Sequence, residues 1–353
     1  QKAQKEIIDR LNDRERVQMF SYVPRMVFPK ATRLVNGYHS TKYNNIDMTK
    51  GFYINFPVLK WVSLNLSLIF YLISNVNKND LVVSYNYSYP SGWPVYLAKK
   101  IIGFKDCLIA FDINIPGETV TKSFFHLINY WSYKYLIPRV DKLVAITPNI
   151  VSDFLGENRH NAIVVEGGVS SYRKGNYKNK EIIKIGYAGS LHDYNLIEEI
   201  LLAVKSLSHI CELHILGDGP LKKIVMDAAI NNENITFYGK ISHGECLKVL
   251  ASCDVLLCLR SSRKIRTDYL FPSKYLEYIA LGKIVLSTKL PLENLKLKYS
   301  NVGESSSEIK EAIISLKNEG DKEISRYFED SFRFIKSKCW SAQVQRMHSF
   351  MRE

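Results

Sequence analysis

Short apolar segments alternate with amphipathic segments twice along the chain, and a polar stretch separates the two series. The first series starts near residue 80 with the apolar segment 81–85, and the second starts with 182–188. The intervening residues 170–180 are polar, basic and nearly free of aliphatic side chains, which is typical of a linker. Such alternation predicts βαβ units, and therefore two doubly wound, mostly parallel α/β sheets.

The chain length supports a division into two domains. With 353 residues, the chain exceeds what one hydrophobic core usually serves. We predict a first domain over residues 1–172, a second over 181–325, and a terminal helix over 326–353 that packs back on the first domain. Residues 1–11 have helical apolar spacing, whereas an α/β domain usually opens with a strand. We therefore expect the first strand to be missing from this sequence.

The charge balance indicates a partner that carries phosphate. The formal net charge is +13 and the sequence pI is about 9.2. A nucleotide, a nucleic acid or an anionic membrane surface would fit this excess. The basic residues are dispersed and form no recognisable nucleic-acid module, so we expect no nucleic-acid partner.

Cysteine and histidine patterns indicate neither disulfides nor a metal site. The six cysteines show no CxxC spacing, and we expect buried, reduced thiols in a cytoplasmic protein. No apolar run reaches the ~18 residues of a membrane span. The longest, 61–73, contains three polar residues and predicts a buried or interfacial helix. Together with the positive charge, it makes an anionic membrane surface a candidate partner, on the inner face of the cell membrane.

Glycines follow three successive strands of the second series. Gly189-Ser190, Gly217-Asp218-Gly219 and Gly239 each lie between a predicted strand and the next helix. Ligands of parallel α/β sheets bind outside the carboxyl ends of the strands, where glycine lets backbone approach a phosphate. One such glycine is more often a plain turn, but three in succession favour a binding site.

The segment 271–287 is the most specific signal in the sequence. Pro272 and Ser273 can open a helix whose free N–H groups favour an anion, and Lys274 adds a cation. Glu277 lies one turn further on, within reach of ribose hydroxyls. The alternative is an ordinary amphipathic helix whose Lys274 and Glu277 are solvated.

These segments resemble a known family when they are taken together. Residues 186–191, 214–221, 237–240, 253–259 and 271–282 are similar, in order and spacing, to the donor-domain landmarks of retaining GT-B glycosyltransferases of family four. The resemblance covers about residues 140–345. It implies a GT-B fold, in which two Rossmann-like domains face each other across a cleft. It further implies that the first domain binds the acceptor and the second the nucleotide-sugar, with no metal or other cofactor.

The resemblance also implies roles for individual residues. Gly189, Ser190 and Gly217 would lie in the donor site beside the diphosphate, which Ser273 and Lys274 would face. Lys274 would also act in catalysis by stabilising charge on the leaving group.

Further residues complete the implied site. Tyr238, Gly239 and Lys240 would flank the base, and Glu277 would hold the ribose. Asp112, which ends a strand of the first domain, would be a catalytic residue near the reacting sugar. An aspartate in that position is also a common turn former.

Two departures from the family pattern affect this interpretation. Many members carry an Arg and a Lys after the first donor-domain strand, where this chain has Ser-Leu-His-Asp-Tyr at 190–194, and many carry a Glu where this chain has Tyr269. Basic residues between two of the landmarks can supply the missing charge, with Arg263 in the donor-binding set. The alternative is a solvated basic loop. The basic residues are Arg260, Arg263, Lys264 and Arg266.

The sequence therefore predicts a retaining glycosyltransferase of the hexosyltransferase type. It would transfer a sugar from a nucleotide-sugar, a UDP-sugar by preference, to a saccharide or a polyprenyl-diphosphate-linked saccharide in surface polysaccharide synthesis. Two alternatives remain open: a nucleotide-sugar epimerase of the same architecture, and a catalytically inactive nucleotide-sugar-binding protein.

Overall fold

The computed structural model describes two compact units. The described residues are 2–21, 34–56, 59–87, 92–111, 124–156, 159–177, 180–265, 267–292 and 297–353. The first unit comprises Gln1–Pro116, Val120–Glu166 and Gln343–Glu353, and the second comprises Gly117–Thr119 and Gly167–Ala342.

The described part of the first unit contains three sheets. The strands are β1 (Gln18–Ser21), β2 (Val35–Asn36), β3 (His39–Tyr43), β4 (Ile46–Lys50), β5 (Tyr53–Ile54), β6 (Leu81–Tyr85), β7 (Lys105–Ala110), β8 (Lys142–Ala145) and β9 (Ala162–Val164). The largest sheet is parallel and has the strand order β6-β7-β8-β9. In the second sheet, β4 pairs with β1 in parallel and with β3 in antiparallel orientation. The third sheet is the antiparallel pair of β2 and β5.

Three helices of the first unit form one layer on the four-stranded sheet. The helices of this unit are α1 (Lys2–Asn12), α2 (Leu59–Asn75), α3 (Gly92–Ile102), α4 (Phe124–Leu136) and α5 (Pro148–Leu155). Because β6, β7 and β8 are adjacent and parallel, right-handed crossovers place α3 and α4 on the same face. Leu68 and Leu72 of α2 pack against Val95 and Ala98 of α3, so α2 belongs to the same layer. Within the described ranges, no helix is both long and apolar enough to cross a membrane.

The second unit is built on one parallel sheet of five described strands. The strands are β10 (Ile183–Ser190), β11 (Cys211–Asp218), β12 (Ile235–Phe237), β13 (Val255–Cys258) and β14 (Ile284–Ser287). Their order is β12-β11-β10-β13-β14, and every neighbouring pair is parallel. The strand order therefore reverses at β10, and a doubly wound sheet binds its ligand at the carboxyl ends beside such a reversal.

Six helices flank this sheet, and a seventh leaves the unit. They are α6 (Ile197–Lys205), α7 (Lys222–Asn231), α8 (His243–Ser252), α9 (Ser273–Ala280), α10 (Ser306–Lys317), α11 (Asp321–Ser337) and α12 (Trp340–Arg352). The capping boxes that the sequence indicates at Ser242–Glu245 and Ser305–Glu308 are both formed, at the starts of α8 and α10.

Helix α12 begins in the second unit and ends in the first. At its start, the Trp340 amide donates to the Val169 carbonyl at 3.0 Å. At its end, within the first unit, His348 Nε2 lies 2.9 Å from Glu15 Oε1, and Arg352 Nε donates to the same oxygen at 3.0 Å. The hydrogen bonds from His348 and Arg352 lower the pKa of Glu15.

An ion cluster with one buried member, Asp106, joins α3 to the amino-terminal ends of β7 and β8. Lys99 Nζ lies 2.6 Å from Asp106 Oδ1 and 2.9 Å from Asp141 Oδ2. The two aspartates also bond reciprocally, because the amide of each donates to the carboxylate of the other at 2.9 and 3.0 Å. Asp106 is 3% exposed, and its burial raises the pKa of its carboxyl group although Lys99 opposes this.

We expect Lys99→Met to destabilise the protein by about 3 kcal/mol at neutral pH, because it leaves the Asp106 carboxylate buried without its cation. Without Lys99, the folded-state pKa of Asp106 lies above its unfolded value, so stability falls as the pH rises through that interval. The deficit should therefore shrink near about pH 4.

Urea unfolding at both pH values measures this effect, with the adjacent exposed Lys100→Met as the control. Equal unfolding midpoints for the two variants would contradict the assigned role of Lys99.

Candidate functional site

The three glycine turns predicted from the sequence meet at one edge of the second sheet. In the register of β10 and β11, Gly189 lies opposite Gly217 and Ser190 lies opposite Asp218. The Gly217 amide donates to the Gly239 carbonyl at 2.8 Å, which brings the third turn to the same edge. This edge contains the carboxyl ends of the strands at the reversal of strand order.

The backbones of β10 and β11 approach so closely here that a side chain is excluded. Gly217 has a φ of 143°, and a Cβ at this position would overlap the Gly189 carbonyl oxygen. Gly219 has a φ of 158°, and its Cβ would lie 2.7 Å from the Leu191 amide nitrogen. Glycine is therefore required by both conformation and space.

Helix α9 is attached to the end of β10 through one carbonyl group. Lys274 Nζ donates to the Ala188 carbonyl at 2.5 Å, and the Tyr278 hydroxyl donates to the same oxygen at 3.1 Å. A Cβ at Gly189 would overlap the Lys274 amine, which also lies 5.9 Å from the centre of the Tyr187 ring. The Lys274 amine is thus held against the glycine-lined edge and does not extend into solvent.

The environment of Lys274 disfavours the charged form of its amine. Burial lowers the pKa of the Lys274 amine, and the nearby charge of Arg260 lowers it further, whereas Glu277 opposes this shift. Glu277 lies one helical turn after Ser273, on the same helix. A group that brings negative charge to this edge would relieve the repulsion between the two cations.

Arg260 belongs to the basic cluster that the sequence indicated, although only Arg263 of that cluster was placed in the donor-binding set. It follows β13, the strand that flanks β10 at the reversal of strand order, and its amide donates to Thr288 Oγ1 at 3.0 Å. Its charge also acts on the pKa of Tyr187 and of the buried Cys258 thiol, which burial raises to about 11. The signal in the sequence was its position directly after that strand.

The next basic residues have different neighbours. Lys264 Nζ lies 3.6 Å from Asp193 Oδ2. The pKa of Glu304 is lowered overall. Burial alone would raise it, but hydrogen bonds from Ser262 and Ser261 and the charge of Arg263 outweigh the effect of burial. Arg263 is therefore electrostatically coupled to Glu304, whereas Arg260 is coupled to Lys274.

The tyrosine predicted to flank the base has a histidine partner. Tyr238 Oη lies 3.0 Å from His214 Nδ1, and the two ring centres are 5.9 Å apart. Burial lowers the pKa of His214, as does the charge of Lys184, whereas Glu212 opposes this shift. Gly239 has a φ of 66°, and Lys240 is exposed.

The loop after β10 is held by its own polar groups. Asn195 Nδ2 donates to the Ser190 carbonyl at 2.8 Å and to its Oγ at 3.0 Å. The rings of His192 and Tyr194 stack with their centres 5.0 Å apart.

The remaining residues predicted for the site differ in exposure, and two of them are not described by the structure. Ser273, exposed, is the first residue of α9, whereas Tyr269 is buried. Asp112 and Arg266 lie outside the described residues. No cluster of three or more His, Cys, Asp or Glu that would suit a metal ion is found in the described part of the chain.

Comparisons with known proteins identify the fold. Trehalose-6-phosphate synthase, from a study of enzymatic glycosyl transfer with retention, has a TM-score of 0.69 to this chain at 12% identity, covering 98% of this chain and 95% of that one. Anabaena Alr3699/HepE in complex with UDP-glucose has a TM-score of 0.62 at 11% identity, covering 86% and 85%. The apo lipopolysaccharide outer core galactosyltransferase WaaB has a TM-score of 0.60 at 14% identity, covering 87% and 84%. The chain has the GT-B fold, with two Rossmann-like domains.

The second unit also has a family match at the level of sequence. Residues 183–317 match the family described as Glycosyl transferases group 1. This range contains the three glycine turns, Arg260 and α9. No curated protein sequence matches the chain. The family match and the fold together support a glycosyltransferase of the GT-B type.

Two glycine substitutions should separate backbone packing from the placement of Lys274. Gly217→Ala places a methyl group on backbone, which cannot move, and should cost about 2–4 kcal/mol of unfolding free energy. Gly189→Ala meets only side-chain atoms, at the ends of Lys274 and Tyr187, and should therefore cost less.

Urea unfolding of both variants measures the difference. Gly244→Ala on α8 is the control, because no atom lies within 4 Å of a Cβ at that position. Equal losses for Gly217→Ala and Gly189→Ala would contradict the described packing.

Proposed function

We propose that this chain is a retaining glycosyltransferase that transfers a hexose from a UDP-sugar to a saccharide or a lipid-linked saccharide. The observation that carries the proposal is the convergence of Lys274, Arg260 and the glycine turns at the reversal of strand order. Two cations whose charges interact, beside a helix start that has no side-chain cap, favour a diphosphate over any neutral ligand.

The diphosphate would lie between the glycine-lined edge and the first turn of α9. Gly189, Ser190 and Gly217 would border it, and Ser273 and Lys274 would face it. The free N–H groups of that first turn add a positive potential.

The nucleoside would extend from the diphosphate along the same edge. Tyr238, Gly239 and Lys240 would flank the base, and His214 would fix the orientation of the Tyr238 ring. Glu277 would accept hydrogen bonds from the ribose hydroxyls.

The proposed catalysis is mainly electrostatic. The bond between the anomeric carbon and the diphosphate oxygen breaks, and its electron pair leaves with the diphosphate. Lys274, Arg260 and the N–H groups of α9 stabilise this charge, and Arg263 adds to the positive potential of the loop. The acceptor hydroxyl forms its bond to the anomeric carbon from the leaving-group side and gives its proton to the departing diphosphate oxygen, so the anomeric configuration is retained. No metal or other cofactor is part of the proposal, and Asp112 stays a sequence-based prediction for the reacting sugar.

The choice of nucleotide and stereochemistry rests on similarity. A protein of the same fold, Alr3699/HepE, was crystallised with UDP-glucose, and trehalose-6-phosphate synthase was studied for transfer with retention. We further propose a polyprenyl-diphosphate-linked acceptor, a role in surface polysaccharide synthesis, and a cytoplasmic location at the inner face of the membrane. The aromatic residues Trp93 and Tyr96 of α3 support a sugar-binding or interfacial role for the first unit.

Calorimetry with UDP, GDP, ADP and dTDP tests the donor site, and we expect selective binding of UDP. Lys274→Met and Arg260→Gln should each weaken UDP binding by roughly tenfold or more while uridine binding is unchanged, because both cations act on phosphate. Glu277→Ala should weaken UDP and uridine alike. The control is Lys205→Met, an exposed position on α6.

Two results would contradict the assignment. Failure of the folded protein to bind any nucleotide would remove the basis of the proposed function. Equal loss of uridine and UDP in Arg260→Gln would place Arg260 elsewhere than at the diphosphate.

The reaction product distinguishes the remaining candidates. With a UDP-hexose and a saccharide acceptor, we expect a glycoside whose anomeric configuration equals that of the donor, as read by proton NMR coupling constants. Inversion would contradict retention. An epimerase would release free sugar or UDP without any acceptor. An inactive binding protein would bind UDP-sugar without turnover. The presence of Tyr269 in place of the Glu of many family members would explain such inactivity.

A further inference from the structure

Helix α2 is apolar on its exposed face as well as on its buried face, and the buried face also contains two serines. Ser63 and Ser67 are buried, and each accepts a hydrogen bond from a backbone amide, that of Ile54 or of Phe52, at 2.9 Å. The opposite face of the helix is apolar and exposed, including Leu66 and Phe70, and Phe70 is 63% exposed. Leucines at 64, 68 and 72 already form the inward apolar stripe that a surface helix normally has. The additional, outward apolar face of α2 therefore calls for an external partner.

The two neighbouring helices of the same layer extend this apolar face. Ile101 on α3 is 66% exposed and Trp131 on α4 is 68% exposed. We call the whole set the apolar layer surface. Its exposed large side chains are Leu59, Trp61, Val62, Leu66, Phe70 and Ile73 of α2, Leu97 and Ile101 of α3, and Leu127, Trp131 and Tyr135 of α4.

The exposed charged side chains of these three helices are positive. The sequences of α2, α3 and α4 contain four lysines and no Asp or Glu. Lys100 and Lys134 are exposed, and each amine lies over a tyrosine ring, at 5.6 and 4.9 Å from its centre. Arg139, which follows α4, lies 3.7 Å from the centre of the Tyr135 ring.

This combination identifies the chemistry of the partner. Exposed Trp and Tyr beside Lys and Arg, with aliphatic side chains between them, suit the boundary between lipid headgroups and acyl chains. The positive charge suits anionic headgroups, and it disfavours pairing of the surface with a second copy of itself because like charges would meet. We propose that the apolar layer surface of the first unit docks on the surface of an anionic lipid bilayer.

Co-sedimentation of the full chain with vesicles tests this proposal without reference to enzymatic activity. We expect binding to phosphatidylcholine vesicles that contain about 30% phosphatidylglycerol, weaker binding to phosphatidylcholine alone, and release by salt. The double variant Leu66→Glu/Phe70→Glu, and separately Trp131→Glu, should reduce partitioning by roughly tenfold or more. Lys100→Gln/Lys134→Gln should lose the preference for anionic vesicles.

A matched control lies in the second unit. Ile230 on α7 is 79% exposed, so Ile230→Glu adds the same charge at an equally accessible apolar position and should bind vesicles as the wild type does. Circular dichroism and UDP affinity establish that each variant is folded, and an effect on vesicles alone would separate docking from donor binding.

Three outcomes would overturn the proposal. The first is that the wild type does not bind anionic vesicles, and the second is that Ile230→Glu and the α2 variant lose vesicle binding equally. The third is that the protein forms a dimer without vesicles and that Leu66→Glu/Phe70→Glu converts this dimer to monomer. The last result would assign the surface to self-association.

Discussion

The carbonyl oxygen of Ala188 is the point on which the candidate site depends. It accepts hydrogen bonds from both the Lys274 amine and the Tyr278 hydroxyl, and the Ala188 amide lies 3.3 Å from that same hydroxyl. Two side chains one turn apart on α9 are thereby attached to the last residues of β10. Because this contact fixes where α9 begins, it also fixes where its free N–H groups and Glu277 lie relative to the glycine turns.

The site combines tight backbone packing with unfavourable electrostatics. Gly217 permits two strands to approach until no side chain fits between them, whereas Lys274 and Arg260 repel each other at the same edge. An interior arranged for stability alone would not hold two like charges together. An anionic ligand relieves this repulsion between the two cations, and sites with such repulsion commonly bind one.

Sequence patterns predicted the second unit better than the first. The strands of the second unit are apolar and the first three lead into glycine turns, so the turns and the edge on which they meet were evident. The strand His39–Tyr43 is polar and largely exposed, and no alternation marks it. The contacts of Tyr278 and the coupling of Arg260 to Lys274 were not predictable, because they depend on the distance between segments far apart in sequence. Likewise, 61–73 predicted a helix, but only the structure shows that both of its serines lie on the buried face, together with three leucines.

The path of α12 has a consequence for synthesis of the chain. Glu15 lies just after the first helix, yet its partners His348 and Arg352 are 333 and 337 residues away. On the ribosome the first unit therefore waits for its final segment, whereas all but the last part of the second unit has already emerged. Domains usually fold in the order in which they are made. Here residues 343–353 complete the first unit only after residues 167–342 of the second unit have been made.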